Sequence, residues 1–268
     1  MPDQFAVMLN GVLVDDGTGI PVPLDDGLIR GDGVFEGIRF YDRVPRTPEL
    51  HLARLTKSGA GTDIPIDLPR LRREMAAFCD ATVNPTCGVR LIVTRGGHVI
   101  WREEPFAVYP DGQSVYPVPN RVTPLLVGVK TLSYASNMRA IRMAKAAGAD
   151  DALCFRVDDG VILEGPTTAF GWLEGDTLVF PPLEVGVLDS ITRRLAMEAV
   201  SSTTREMRIE DLKDVDGAFL MSSYQEFVPV HTVDGIASFD ITTDAVREMT
   251  ETVNAYIRRQ VAPVVMTA

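Results

Sequence analysis

Four prolines fall within PDGQSVYPVPNRVTP, residues 110–124. Proline fixes φ and removes a backbone donor, so such a stretch opposes both helix and central strand and reads as an extended linker. It divides the chain into a small N-terminal domain of residues 1–115, a linker of 116–124 and a larger domain of 125–268. Two domains suit a chain of 268 residues. Apolar residues make up 46% and charged residues 24%, a balance that lets a globular chain bury a core without covalent staples.

On the N-terminal side, FAVMLNGVL (5–13) reads as two short strands about an Asn-Gly turn, and FEGIRFYD (35–42) as a strand. TPELHLARLTKSGAG (47–61) is a helix capped by Thr47, with Pro48 in its first turn and Leu50, Leu52 and Leu55 on one stripe. LPRLRREMAAFCDAT (68–82) is a second helix, GVRLIVT (88–94) a buried strand and FAVY (106–109) a further strand. Beyond the prolines, LLVGVKTL is a strand, NMRAIRMAKAAG (137–148) a helix closed by Gly148, and DALCFRV and GVILEG are strands about Asp158-Asp159-Gly160. AFGWLEGDTLVF is a hairpin turning at Glu174-Gly175-Asp176, SITRRLAMEAVSS (190–202) a helix and GAFLMSS (217–223) a strand. Residues 242–261 form a terminal helix with Val246, Met249, Val253 and Tyr256 on one face. This mixture is α+β rather than a regular βαβ series.

The formal net charge of −11 argues against non-specific binding to nucleic acid or to an anionic membrane. Cys79, Cys87 and Cys154 fit neither a disulfide framework nor a zinc site and read as reduced, packed thiols of a cytoplasmic protein. His51, His98 and His231 have no ligand spacing among them, so no metal is expected. The start MPDQFAVMLNG has no basic region followed by a long apolar run, which reads as no signal peptide, and no stretch approaches a membrane span.

Lys130 ends the apolar run LLVGV. A partly desolvated lysine has a lowered pKa and attacks carbonyls to form a Schiff base, although a solvated lysine at a strand end is the plainer reading. Glu164 follows four apolar residues in GVILEGP and, if buried, needs a partner such as a pyridinium N–H; an exposed turn glutamate is the alternative. LDSITRR (188–194) opens a helix whose first amides, with the Thr192 hydroxyl, form an anion site, or an ordinary terminus capped by Asp189 or Ser190. Ser222 and Ser223 could face a phosphate, and Arg54 could supply the countercharge or a surface ion pair. A lysine, a carboxylate, an arginine and helix-end amides together match what pyridoxal phosphate requires.

The ordered segments RGDGVFEGIRFYD, HLARL, VKTLSY, GADDALCF, LEGPTTAF, PPLEVGVLDSITRR and MSSYQEFVPVHTVDG resemble the class IV aminotransferases, the fold-type IV pyridoxal-phosphate enzymes. These include branched-chain and D-amino-acid aminotransferases and aminodeoxychorismate lyase. The resemblance runs from about residue 5 to residue 235 and is most specific over 129–193. It implies a two-domain α+β fold with a small N-terminal α/β domain and a larger domain built on a β-barrel-like core. It implies that Lys130 carries pyridoxal phosphate as a Schiff base, that Glu164 pairs with the ring nitrogen, and that Tyr134 meets the phenolic oxygen. Arg54, Ile191, Thr192, Ser222 and Ser223 would hold the phosphate. A homodimer is implied, acting on an amino acid and a 2-oxo acid.

The substrate side is carried by Arg30, Phe35, Arg39, Tyr224 and Gln225 on the same resemblance. Phe35, Gly37 and Arg39 match the branched-chain enzymes and point to a hydrophobic substrate, of L or D hand. Arg30 stands where those enzymes carry an aromatic, and an arginine there would grip a carboxylate in bidentate fashion. Arg102 comes later than in the D-specific pattern, His98 falls out of it, and Ala169 replaces a common asparagine. Transamination is the expected reaction; pyruvate elimination by a lyase uses the same cofactor residues, and a cofactor-free relative is the third reading.

Overall fold

The computed structural model describes residues 5–14 and 24–262; the opening MPDQ, from which the expectation of no signal peptide was partly drawn, lies outside them. Its elements are β1 (Val7–Leu9), β2 (Val12–Leu13), α1 (Asp26–Arg30), β3 (Gly33–Tyr41), β4 (Val44–Pro45), α2 (Pro48–Ala60), α3 (Leu68–Ala81), β5 (Cys87–Thr94) and β6 (Val99–Glu104). There follow β7 (Gln113–Asn120), α4 (Ala135–Ala146), β8 (Asp151–Arg156), β9 (Ala169–Glu174), β10 (Thr177–Phe180), α5 (Ile191–Ala199), β11 (Ser202–Thr204), β12 (Gly217–Ser222), β13 (Glu226–Val233), β14 (Ala237–Ser238) and α6 (Asp244–Arg258). The chain divides into two compact units. One holds the residues up to Ala107 with Val129–Tyr134 and the stretch from Gln260; the other holds Val108–Gly128 and Ala135–Arg259.

The first unit is a six-stranded sheet ordered β2-β1-β6-β5-β3-β4. Asn10 and Gly11 both take positive φ (52° and 80°), which is what the tight β1–β2 turn demands. Along β3, Val34, Glu36, Ile38 and Phe40 point to one face, and all four are fully buried. That face packs on α2 and α3 through Leu52, Leu55, Leu71, Met75 and Phe78. Trp101 is also fully buried, and its indole N–H donates to Glu74 Oε2 at 2.9 Å, so the core contains no unpaired indole.

The second unit is an eight-stranded sheet ordered β11-β10-β9-β12-β13-β7-β8, with β14 on β13. The proline-dense stretch differs from expectation, because residues 113–120 are a strand lying between β13 and β8. The carbonyl of Val115 accepts from Asp234 on the β13 side, and Pro117 and Pro119 share its parity. Pairing with β13 stops at Val115, so both prolines turn their missing N–H to a side with no neighbouring strand.

Other local expectations are corrected. LLVGVKTL is not a strand: Pro124–Leu126 is a 3₁₀ turn, Gly128 is left-handed (φ 71°), and only Thr131 bridges to Val34. FAVY is not a strand either; Phe106 packs on the Arg39 guanidinium and Val108 is exposed. GVILEG makes only isolated bridges, at Val161 and Ile162. Thr47 takes a left-handed φ of 46° and its side chain makes no capping hydrogen bond to the helix it was expected to cap. The buried face of α6 ends in Ile257 rather than Tyr256. Strands β6 and β13 escaped the sequence reading, β13 because Pro229 falls inside it. Cys79, Cys87 and Cys154 are free thiols, and burial pushes their pKa values up to about 11, 12 and 12. Among the described residues no cluster of three or more His, Cys, Asp or Glu could hold a metal, and no helix is long and apolar enough to cross a membrane.

Candidate active site

In the first unit the segment carrying Lys130 runs antiparallel beside the start of β3. Phe35 N donates to the Lys130 carbonyl at 3.0 Å, and Leu132 N donates to the Gly33 carbonyl at 2.8 Å. Gly33 is required there, since a Cβ would sit 2.5 Å from Leu132 Cδ1 and 2.9 Å from the Val93 carbonyl oxygen. Lys130 N also donates to Ser58 Oγ on α2 at 3.1 Å. The backbone is thus pinned from two sides, and the amine is placed 4.5 Å from the centroid of the Phe35 ring. Tyr134 meets the same ring edge-on at 5.2 Å. The guanidinium of Arg90, which the sequence reading did not single out, lies 4.9 Å from it.

Arg54 lies on the inward face of α2, where it forms a bidentate pair with Glu36: Nε to Oε1 at 2.7 Å and Nη2 to Oε2 at 2.6 Å. His51, one turn earlier, places Nδ1 2.7 Å from Glu36 Oε2. Burial pulls the Glu36 carboxyl upward, but the Arg54 charge and the hydrogen bonds of Arg54 and His51 outweigh it and hold its pKa at about 2. Burial lowers the pKa of His51, so the ring is neutral, and because an ionised carboxylate only accepts, Nδ1 carries the proton. The sequence reading did not name Glu36 and took His51 only as a histidine without ligand spacing. Alternation along FEGIRF was the available signal: it places the glutamate with Val34 and Ile38, facing the core.

The other first-unit candidates are set differently. Arg30 ends α1 beside the lysine segment, since Ser133 Oγ donates to the Gly31 carbonyl at 3.2 Å; its side chain is exposed and pairs with Asp26. Arg39 is buried and stacks on Tyr41 at 4.8 Å and Phe106 at 4.0 Å.

In the second unit, Glu164 precedes Gly165 in a loop where any Cβ at 165 would collide with Thr168 Oγ1 at 2.0 Å. Its Oε1 accepts from Leu188 N at 2.9 Å, which ties the Glu164 loop to the approach of α5. Ser190 caps α5, accepting from Arg193 N at 3.3 Å. Ile191 and Thr192 occupy the first turn and both are buried. Thr192 Oγ1 has no hydrogen-bond partner among the described residues. A buried hydroxyl without a partner, at the positive end of a helix, is the environment an anionic oxygen fits. Ser222 Oγ accepts from Gln225 N at 3.3 Å in the turn 223–225, and Gln225 Nε2 donates to Gln113 Oε1 at 2.8 Å. Ser223 and Tyr224 lie in that turn.

Asp151 opens β8, its Oδ1 accepting from Ala152 N at 2.8 Å and its Oδ2 3.4 Å from Thr168 Oγ1. Burial pushes its carboxyl up to about 6. It too escaped the sequence reading, since one acidic residue in GADDAL looks like any other.

The model of the amino-transferase class IV family matches residues 33–233. A bifunctional aminodeoxychorismate lyase / D-amino acid transaminase of Mycobacterium tuberculosis is 33% identical over 267 residues, covering 86% of this chain and 92% of that protein. A hypothetical aminotransferase from Mycobacterium tuberculosis, solved in its PLP-bound form, matches with a TM-score of 0.83 at 29% identity, covering 95% of this chain and 99% of that one. A hypothetical aminotransferase from Mycobacterium tuberculosis in its alpha-ketoglutarate and PMP bound form matches with a TM-score of 0.84 at 30% identity, covering 94% of this chain and 98% of that one. With a lysine amine against an aromatic ring in one unit and a partnerless hydroxyl on a helix N-terminus in the other, this chain belongs to the class IV aminotransferases, which are pyridoxal-phosphate-dependent enzymes of fold type IV.

Proposed function

We propose that this enzyme is a transaminase that moves an amino group between a hydrophobic amino acid, branched-chain or otherwise and of L or D hand, and a 2-oxo acid. The observation that carries this reading is the Lys130 amine seated 4.5 Å from the Phe35 ring, with Tyr134 on the same ring: a nucleophile bordered by aromatic surface. Pyridoxal phosphate, when bound, supplies an electron-withdrawing ring that acidifies the substrate's α-carbon.

The residues present fit that group. Thr192 offers a buried, partnerless hydroxyl, and in this reading Thr192, Ile191, Ser222, Ser223 and Arg54 bind the phosphate. Lys130 would hold the aldehyde carbon, Glu164 the ring N–H and Tyr134 the phenolic oxygen. Once the substrate's amine displaced it, the free Lys130 Nζ would take the proton from the substrate's α-carbon and return it to the aldehyde carbon, serving as base and then as acid. Glu36 holds Arg54 in one orientation through its two hydrogen bonds. Arg30, Phe35, Arg39, Tyr224 and Gln225 contact substrate. The working form in this proposal is a cytoplasmic homodimer, in keeping with three free thiols and with the usual two-fold closure of enzyme assemblies.

The name of the mycobacterial relative gives weight to a second reading, aminodeoxychorismate lyase, in which pyruvate is eliminated and 4-aminobenzoate released. The holoenzyme should be mixed separately with L-leucine, D-alanine and aminodeoxychorismate while the visible cofactor band is followed. Bleaching by an amino acid, with its 2-oxo acid appearing in equal amount, supports transamination. Pyruvate released from aminodeoxychorismate alone, without bleaching by either amino acid, would replace it with the lyase.

A further inference from the structure

Arg193 sits one residue beyond the partnerless Thr192 and is itself 6% exposed. Its Nε has no hydrogen-bond partner among the described residues. Its Nη2 reaches the Pro181 carbonyl at 3.4 Å, and its guanidinium lies 5.3 Å from the Phe180 ring centroid. A guanidinium with so few donors satisfied needs an anion nearby, because a buried charge is costly when unpaired.

Asp189, Arg194, Glu164 and Glu184 are among the charged groups that act on it, Asp189 the most strongly. Asp189 is engaged by Arg194, whose Nε donates to its Oδ1 at 2.8 Å and whose Nη2 bonds its Oδ2. Glu184 is exposed, so water screens it. Glu164 is different, because it and Arg193 line one cavity whose other walls include Leu163, Phe170, Pro181 and Val187. In such an apolar lining the attraction between opposite charges is much stronger than in water. Leu188 N holds one Glu164 oxygen, so the carboxylate is held at the cavity that Arg193 also lines.

We propose that Arg193 is a positioning residue for Glu164, its buried positive charge keeping that carboxylate ionised so that the cofactor's ring nitrogen stays protonated. The inference rests on the assignment of Glu164 to the ring nitrogen. It couples the Arg193 guanidinium, the Glu164 carboxylate and the ring N–H by charge, so that Arg193 need not touch the cofactor.

The test uses holoenzyme reconstituted with pyridoxal phosphate carrying ¹⁵N in its ring and reads the protonation of that nitrogen by NMR at pH 7.5. The parent should show the protonated signal, and Glu164→Gln should lose it. Arg193→Met should lose at least half of it, and Arg193→Lys, which restores the charge, should keep it. An Arg193→Met holoenzyme with the parent's signal overturns the proposal. Should Arg193→Met not fold, Arg193→Gln is read in the same way. If neither neutral variant folds, Arg193→Lys decides, with retained protonation supporting the coupling and loss overturning it. A protonated signal in Glu164→Gln would instead sink the assignment of Glu164 itself, so the two failures are distinct.

Discussion

Replacing Glu36 with glutamine tests the buried anchor under Arg54. The carboxylate accepts three donors, Arg54 Nε, Arg54 Nη2 and His51 Nδ1, at 2.7, 2.6 and 2.7 Å. Glutamine offers a single acceptor oxygen, and its amide N–H₂ must face a donor, so the guanidinium stays buried with its charge uncompensated. Breaking one partner of a buried ion pair costs about 3–5 kcal/mol, a large share of the roughly 5–15 kcal/mol that holds a domain together. The pH dependence gives a second, independent magnitude. The Glu36 pKa is lowered from 4.5 to about 2, so its contribution is present above pH 4.5 and is lost as pH falls towards 2. At about 1.4 kcal/mol for each pH unit, that window is worth on the order of 3 kcal/mol. Urea unfolding of the apo-proteins between pH 7 and pH 3 should therefore show the Glu36→Gln variant less stable by several kcal/mol at pH 7, with the gap closing in acid. A deficit under about 1 kcal/mol at pH 7, or a gap independent of pH, would refute the anchor.

Three further outcomes follow from local geometry. Asp151→Asn should flatten an opposite pH dependence: the folded pKa is raised from 3.8 to about 6, so the native state binds more protons across that window and stability falls as pH rises through it. The variant should gain on the order of 2 kcal/mol over the parent at pH 8 and little at pH 4, by urea unfolding; equal gaps at both would exclude the buried carboxyl as the cause. Thr192→Val should leave apo stability unchanged or slightly higher, because the hydroxyl has no partner, while pyridoxal phosphate affinity by fluorescence titration falls about tenfold; unaltered affinity would remove Thr192 from the phosphate site. Gly33→Ala should cost about 1–3 kcal/mol, since its methyl meets Leu132 and an immovable backbone oxygen of Val93, and a variant as stable as the parent in urea would contradict that crowding.

Much of this protein is written locally. The Asn-Gly turn, the helices at 48–60 and 68–81, the hairpin about Gly175 and the Ser190-capped start of α5 each follow from a few neighbouring residues, because a tight turn or a cap is satisfied within its own segment. The order of lysine, glutamate and Ile-Thr-Arg also sufficed to place the chain among the class IV aminotransferases.

What the tertiary structure alone decided is the pairing of distant groups. Proline density spoke for a linker, yet β7 is a strand, because the cost of a missing donor depends on whether a neighbour lies on that side. Lys130 was expected at the end of a strand and instead sits in an irregular segment sewn to β3, ninety-odd residues earlier in the chain. Arg54 read as a surface cation or a phosphate ligand; only packing revealed that Glu36 grips it from the core, with His51 bonded to the same carboxylate. A side chain's chemistry is set by the sequence, but its charge state and partners depend on burial and on contacts across the fold, and no local pattern encodes those.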